Sequence, residues 1–101
     1  MATAPRNFWR GQLPQEETVI YTVPSTGQAI VTDIVATNMD SSNAAMIAVL
    51  VNDVPLLANV GIHPNGVFTI RLSQVLEPND VLKIQGNSAT AYAHISGVEV
   101  A

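Results

Sequence analysis

The chain predicts an all-β fold: a single antiparallel β-sandwich, jelly-roll-like, with an extended N-terminal arm. Three observations lead there. Short runs of Val, Ile, Thr, Leu and Ala alternate with clusters of Pro, Gly, Asn and Asp, the pattern of strands joined by tight reversals. The clusters return roughly every ten residues, the spacing expected of a sandwich. No stretch of useful length repeats its apolar residues at the helical period. At 101 residues the chain has room for one compact domain and no second one.

Residues 1–17 differ from the rest. They hold the only tryptophan and two of the four basic residues, with Pro5, Gly11 and Pro14 interrupting any regular pattern, and they read as the arm. The sandwich domain is expected over residues 18–101. Its strands are predicted at Thr18 to Val23, Gln28 to Thr37, Ala44 to Val51, Leu56 to Ile62, Val67 to Leu72, Val81 to Gln85 and Thr90 to Val100. Pro24 to Gly27, Asn52 to Pro55, His63 to Gly66, Glu77 to Asp80 and Gln85 to Ser88 place turn residues at the reversals. Asn38 to Asn43 is a surface connection in which only Met39 is of a type that asks for burial.

Period-two alternation assigns faces. Phe68, Ile70 and Leu72 point to the core and Val67, Thr69 and Arg71 away; Leu82 and Ile84 likewise oppose Val81 and Lys83. In the second strand Ile30, Ile34 and Ala36 share a face with Thr32, and Val31 and Val35 share the other with Asp33, so both faces are half apolar. Ala44 to Val51 does not alternate at all, which in a two-layer fold predicts an outward face that meets another subunit. Exposing Ile47, Val49 and Val51 would forgo about 1.5 to 3 kcal/mol each. These three residues are the expected oligomer interface, and a homotrimer is the expected assembly. In the last strand Ala91, Ala93 and Ile95 are out of phase with Val98 and Val100, and a bulge at Ser96-Gly97 would restore the phase.

Composition excludes several functions. Eight acidic residues oppose four basic ones, a net charge of −4, so there is no basic field for nucleic acid. The absence of cysteine removes thiolate catalysis and sulfur-ligated zinc. The longest apolar run is far short of the roughly 20 residues that span a bilayer, and the first residues lack the apolar stretch of a secretory signal. Synthesis in the cytoplasm, with no membrane partner, is the expectation.

Catalysis would have to rest on His63, His94, the carboxylates and the hydroxyls. His63 reads as a solvated turn residue, and His94 as a partly exposed strand residue or interface contact. Neither has a second ligand at metal-like spacing. Glu16-Glu17 reads as a solvated pair, Asp53 and Asp80 as turn residues accepting backbone N–H bonds, and the glycines form no phosphate-cradling loop. The chain is not expected to be an enzyme, and no cofactor or metal is expected. The segment around Phe8 and Trp9 is different. Aromatics flanked by Arg6 and Arg10 are the residue types that anchor interfaces, so Arg6, Phe8, Trp9 and Arg10 are candidate partner-binding residues. The alternative is an arm that folds back so that Trp9 plugs its own sandwich. Both hold together if the arm crosses to a neighbour in a trimer.

Four stretches carry a family likeness: Tyr21-Thr22-Val23-Pro24; Ala29-Ile30-Val31-Thr32-Asp33-Ile34 with Asn38; Val49-Leu50-Val51-Asn52; and Ile95-Ser96-Gly97-Val98-Glu99-Val100. With the hairpin Val75-Leu76-Glu77-Pro78-Asn79-Asp80-Val81-Leu82, they make residues 18–101 resemble small virion proteins of tailed bacteriophages. That resemblance implies a β-sandwich that decorates a capsid or forms part of a tail or fibre. The expected function is a virion structural protein, foremost a capsid decoration or cement protein bound to the major capsid protein. A tail, neck or baseplate component is the alternative, and a carbohydrate-binding module for host recognition a more distant one.

Overall fold

The structure, a computed structural model, describes residues 3–100; residues 1, 2 and 101, the outer ends of the expected arm and domain, lie outside the described residues. It contains β1 (Thr3–Gln12), β2 (Thr18–Thr22), β3 (Gln28–Asn38), β4 (Ala45–Val51), β5 (Val54–Ile62), β6 (Val67–Leu76), β7 (Val81–Gly86) and β8 (Ala91–Val100). There is no helix among the described residues, hence none long and apolar enough to cross a membrane.

Two four-stranded antiparallel sheets face each other, a long one ordered β1-β8-β3-β6 and a short one ordered β2-β7-β4-β5. The pairings β1 with β8, β2 with β7, β3 with β6 and β4 with β5 make one antiparallel ribbon whose successive pairs lie in opposite sheets. Pairing of β3 with β8 and β4 with β7 then locks the rolled ribbon. This is a jelly roll, one of the arrangements by which all-β domains limit their free edges.

Among the described residues a separate arm is not evident. Residues 3–12 are an edge strand of the long sheet, hydrogen-bonded to β8. Pro5 and Gly11 pointed away from a strand in the sequence, but an edge strand tolerates a proline because one row of its N–H groups has no ladder partner.

Register breaks explain the mixed faces read from the sequence. Along β3 the pairing with β8 skips from Val31 to Asp33, and along β1 it skips from Asn7 to Trp9, while β8 runs through Ile95, Ser96 and Gly97 without interruption. The extra residues are therefore Thr32 and Phe8 in the neighbours, not a bulge at Ser96-Gly97. The Thr32 insertion turns β3 over, so Ala29 and Val31 before it and Ile34 and Ala36 after it all enter the core. Gly97 is required for close approach: a Cβ there would meet the Ile30 carbonyl oxygen at 1.9 Å and the Phe8 ring at 2.8 Å.

The expected interface on β4 is also corrected. Ile47 and Val49 are 0% exposed and Val51 is partly buried against the same core, so the chain itself covers them. The strand fails to alternate because its outward residues, Met46, Ala48 and Leu50, are apolar too. Phe68, Ile70 and Leu72 do pack on the core, though only partly buried; Leu82 and Ile84 are fully inside.

The reversals follow the residue types. Asn52 and Asp53, at φ 51° and 69°, form the two-residue connection between paired Val51 and Val54, the backbone of a type I′ hairpin. Gly66 N donates to His63 O (2.9 Å) and Asp80 N to Glu77 O (3.0 Å). Each of these turns has Pro second and a left-handed Asn third, Asn65 at φ 53° and Asn79 at φ 69°, which is type II chemistry. In the 38–43 connection Met39 is exposed and Asn38 is the buried residue, 2% exposed. Its amide donates to Asn43 O (2.8 Å) and Ile62 O (3.2 Å), and accepts from Asp40 N (3.0 Å) and Thr90 Oγ1 (2.9 Å). A buried amide with its partners all present tethers three chain segments at that end of the sandwich.

Candidate functional site

Arg6, Phe8, Trp9 and Arg10 lie on one strand but act on different sides of it. Phe8 is buried, its ring 4.6 Å from that of Tyr21 at 47°, and Trp9 is partly buried against the core. Phe8 rather than Trp9 thus fills the sandwich. Arg6 lies 5.4 Å from the Tyr21 ring centre and 3.5 Å from Glu99. The Tyr21 hydroxyl donates to the same carboxylate, and the phenol is pushed up to about 12, first by burial, then by the hydrogen bond and charge of Glu99, against the opposing pull of Arg6. These contacts clamp β1 and β8 of the long sheet to β2 of the short one. Two of the four residues read as partner anchors, Arg6 and Phe8, are thereby engaged within the chain's own seam, and Trp9 rests partly buried on the same core.

Arg10 is the exception, because it points outward. Its Nε donates to His94 Nδ1 at 3.0 Å, which leaves the His94 proton on Nε2. The pair borders a groove of about 410 Å³ across β1, β8 and β3, whose lining also includes Arg6, Asn7, Ser96, Thr32 and Asp33. Thr32 Oγ1 donates to Asp33 (2.9 Å), and Arg71 approaches the same carboxylate at 3.6 Å. The groove offers guanidinium, imidazole and amide donors beside a carboxylate acceptor, a set suited to hydroxyl-rich or charged polar ligands. Sequence reasoning missed it because the Thr32 insertion decides which β3 residues face outward. Among the described residues there is no group of three or more His, Cys, Asp or Glu side chains placed to hold a metal.

The outer face of the short sheet has a different character. Val19, Lys83, Leu50 and Pro55 form one row across all four strands. Ala48 and Met46 continue the apolar surface along β4. The single cation in the row is neutralised: Lys83 hydrogen-bonds Asp53 and lies 3.4 Å from Glu17. Its pKa is raised chiefly by the Asp53 bond. Asp53 thus holds a lysine rather than backbone amides, whereas Asp80 does accept from Glu77 N at 2.8 Å. His63 is exposed in its turn. Searches with the sequence found no matching protein-family model and no matching curated protein.

Proposed function

We propose that the chain is a structural protein of a tailed-bacteriophage virion, acting as a capsid decoration or cement protein on the major capsid protein shell. The observation that carries this reading is the outer face of the short sheet. Val19, Met46, Ala48, Leu50 and Pro55 form an apolar surface with its one lysine internally neutralised, the sort of surface that gains most from being covered. The resemblance motifs support a scaffolding role, since the Tyr21 and Glu99 stretches meet in the seam. Bound copies would add interface area between neighbouring capsomers and raise the free energy of separating them.

The test is co-sedimentation of the purified protein with expanded shells of the cognate major capsid protein. Saturation at hundreds of copies per particle is expected, lost in the double variant Met46→Glu, Ala48→Glu while its thermal unfolding is retained. Absence of binding would sink the reading, and a saturation of a few dozen copies on whole particles would transfer the protein to the tail, neck or baseplate.

The groove at Arg10, His94 and Asp33 favours a second reading, a carbohydrate-binding module. Glycan-array binding lost in His94→Ala would support it; silence on the array would remove it.

A further inference from the structure

Four strands border the sandwich: β1 and β6 flank the long sheet, β2 and β5 the short one. Three of these edges carry the devices by which free strands avoid pairing with other chains. β1 has Pro5 and the insertion at Phe8. β2 is only 5 residues long and its register breaks between Val19 and Tyr21. β5 has Pro55, two register breaks and Asn59 at φ 53°. β6 is the least protected: its one register break, at Leu72 and Ser73, and its one charge, Arg71, lie beyond or at the end of a stretch from Val67 to Arg71 in regular register with β3, and its 10 residues include no Pro or Gly and none with positive φ. One row of its N–H and C=O groups faces away from β3 with no strand beside it. Along the same border Phe68, Ile70 and Leu72, with Leu56 and Val60 of β5, remain only partly buried.

We propose that β6 pairs antiparallel with β6 of a second copy about a twofold axis through Thr69, joining two long sheets into one. The strand is complementary to itself in that register. On the inner face Phe68 lies against Ile70 of the second copy, twice over, an aromatic against a β-branched residue. On the outer face Thr69 faces its own copy, a favourable hydroxyl pair, and Val67 lies along the aliphatic stem of Arg71 of the second copy. The two Arg71 side chains fall at opposite ends of the ladder. Four residues apart, they are separated by about 13 Å along the strand, more than the screening length of about 8 Å at physiological salt. Moving the axis to Ile70 draws Leu72 and Ser73, at the register break, into the ladder. Moving it to Arg71 sets that cation against itself. The pairing does not depend on where the protein works, and it leaves the outer face of the short sheet free.

The experiment is sedimentation equilibrium of the full chain with three single variants. A five-residue ladder with a small apolar seam predicts a monomer–dimer equilibrium with a Kd on the order of micromolar. Thr69→Lys, at an exposed position, sets two ammonium groups face to face and is expected to weaken association at least tenfold with unchanged thermal unfolding. Thr69→Cys should oxidise to a covalent dimer, since cross-strand Cα separations of about 4.5 to 5.5 Å fall within disulfide reach and the chain has no other cysteine. Val67→Cys should not, being four residues from its own copy. A wild-type mass of one copy at a hundredfold above micromolar overturns the proposal. So does a mass of three copies, as does a dimer that tolerates Thr69→Lys and cross-links equally through Val67→Cys.

Discussion

The two long borders of the sandwich are finished differently. Between β1 and β2 the seam is closed by Phe8 against Tyr21, with Arg6 and Glu99 tied across the opening. Between β5 and β6 the corresponding inner residues, Phe68, Ile70 and Leu72, stay only partly buried, and among the described residues no side-chain hydrogen bond or ion pair ties the two strands together. The contrast shows where the chain completes its own core and where apolar side chains stay partly uncovered, the surface on which the proposed pairing of two copies rests. It also yields a graded set of substitutions, with large effects at the closed seam and small ones at the open border.

Gly97→Ala is expected to have the largest effect. Its Cβ would fall 1.9 Å from the Ile30 carbonyl oxygen, a backbone atom of the central ladder that cannot swing aside as a side chain would. Loss of about 4 kcal/mol or more is expected, seen as failure to fold or as a large drop in the denaturation midpoint. A variant with near wild-type stability would show that β3 and β8 are not held together as tightly as the seam requires.

Phe8→Ala and Phe68→Ala compare the borders directly with one chemical change. Phe8 is 6% exposed, and its truncation leaves a cavity in the seam costing about 3 to 5 kcal/mol. Phe68 is only partly buried, and the same truncation should cost about 1 to 2 kcal/mol in the monomer. For a domain of this size each kcal/mol moves the melting temperature by about 4 to 8 °C, so the two are separable by calorimetry. Equal costs would erase the distinction between the borders. In addition, Phe68→Ala should weaken self-association, whereas Phe8→Ala acts on folding alone.

The same contrast marks what the sequence disclosed. Turn chemistry was legible because Pro, Asn, Asp and Gly have narrow backbone preferences, and it located the reversals between β2 and β8. The sandwich and the core role of Leu82 and Ile84 followed from period two. β1 was not legible, since Pro5 and Gly11 argue locally against a strand whose place is decided by the edge of β8. Inserted residues were equally hidden. Thr32 and Phe8 shift the phase of their strands only because of what lies beside them, and that shift decides both the apolar face of β3 and the outward groove. The reading of Ile47 and Val49 as an interface failed for a related reason. An apolar run shows that both faces lack polar residues without showing which face is the core.

Tyr21→Phe tests the polar rim of the closed seam. At neutral pH, loss of the bond to Glu99 should cost about 1 to 2 kcal/mol. The alkaline side is more specific. Burial and Glu99 hold the phenol proton up to about 12, while in the unfolded chain it leaves near its ordinary value of about 10. The unfolded state therefore sheds its proton first, and the stability from this group, complete below pH 10, is lost as pH rises toward 12. Tyr21→Phe should lack that part of the wild-type slope, about 2 kcal/mol over the interval. Parallel curves in urea titrations at pH 9 and pH 11.5 would dissociate Tyr21 from the seam's stability.

Arg6→Ala should have the smallest effect, although Arg6 touches both Tyr21 and Glu99. Its guanidinium side chain is 48% exposed and lies 3.5 Å from a carboxylate that is 23% exposed, so water screens the pair and an ion pair of this kind contributes at most about 1 kcal/mol. Added salt should narrow the gap between wild type and variant further. Arg6 also opposes the rise in the Tyr21 pKa, because its positive charge favours the phenolate. Removing it should move the tyrosine's titration in the folded state to still higher pH. A loss from Arg6→Ala as large as that from Phe8→Ala would mean that the seam is held by its charges. The buried rings of Phe8 and Tyr21 and the close approach at Gly97 argue that it is held by packing.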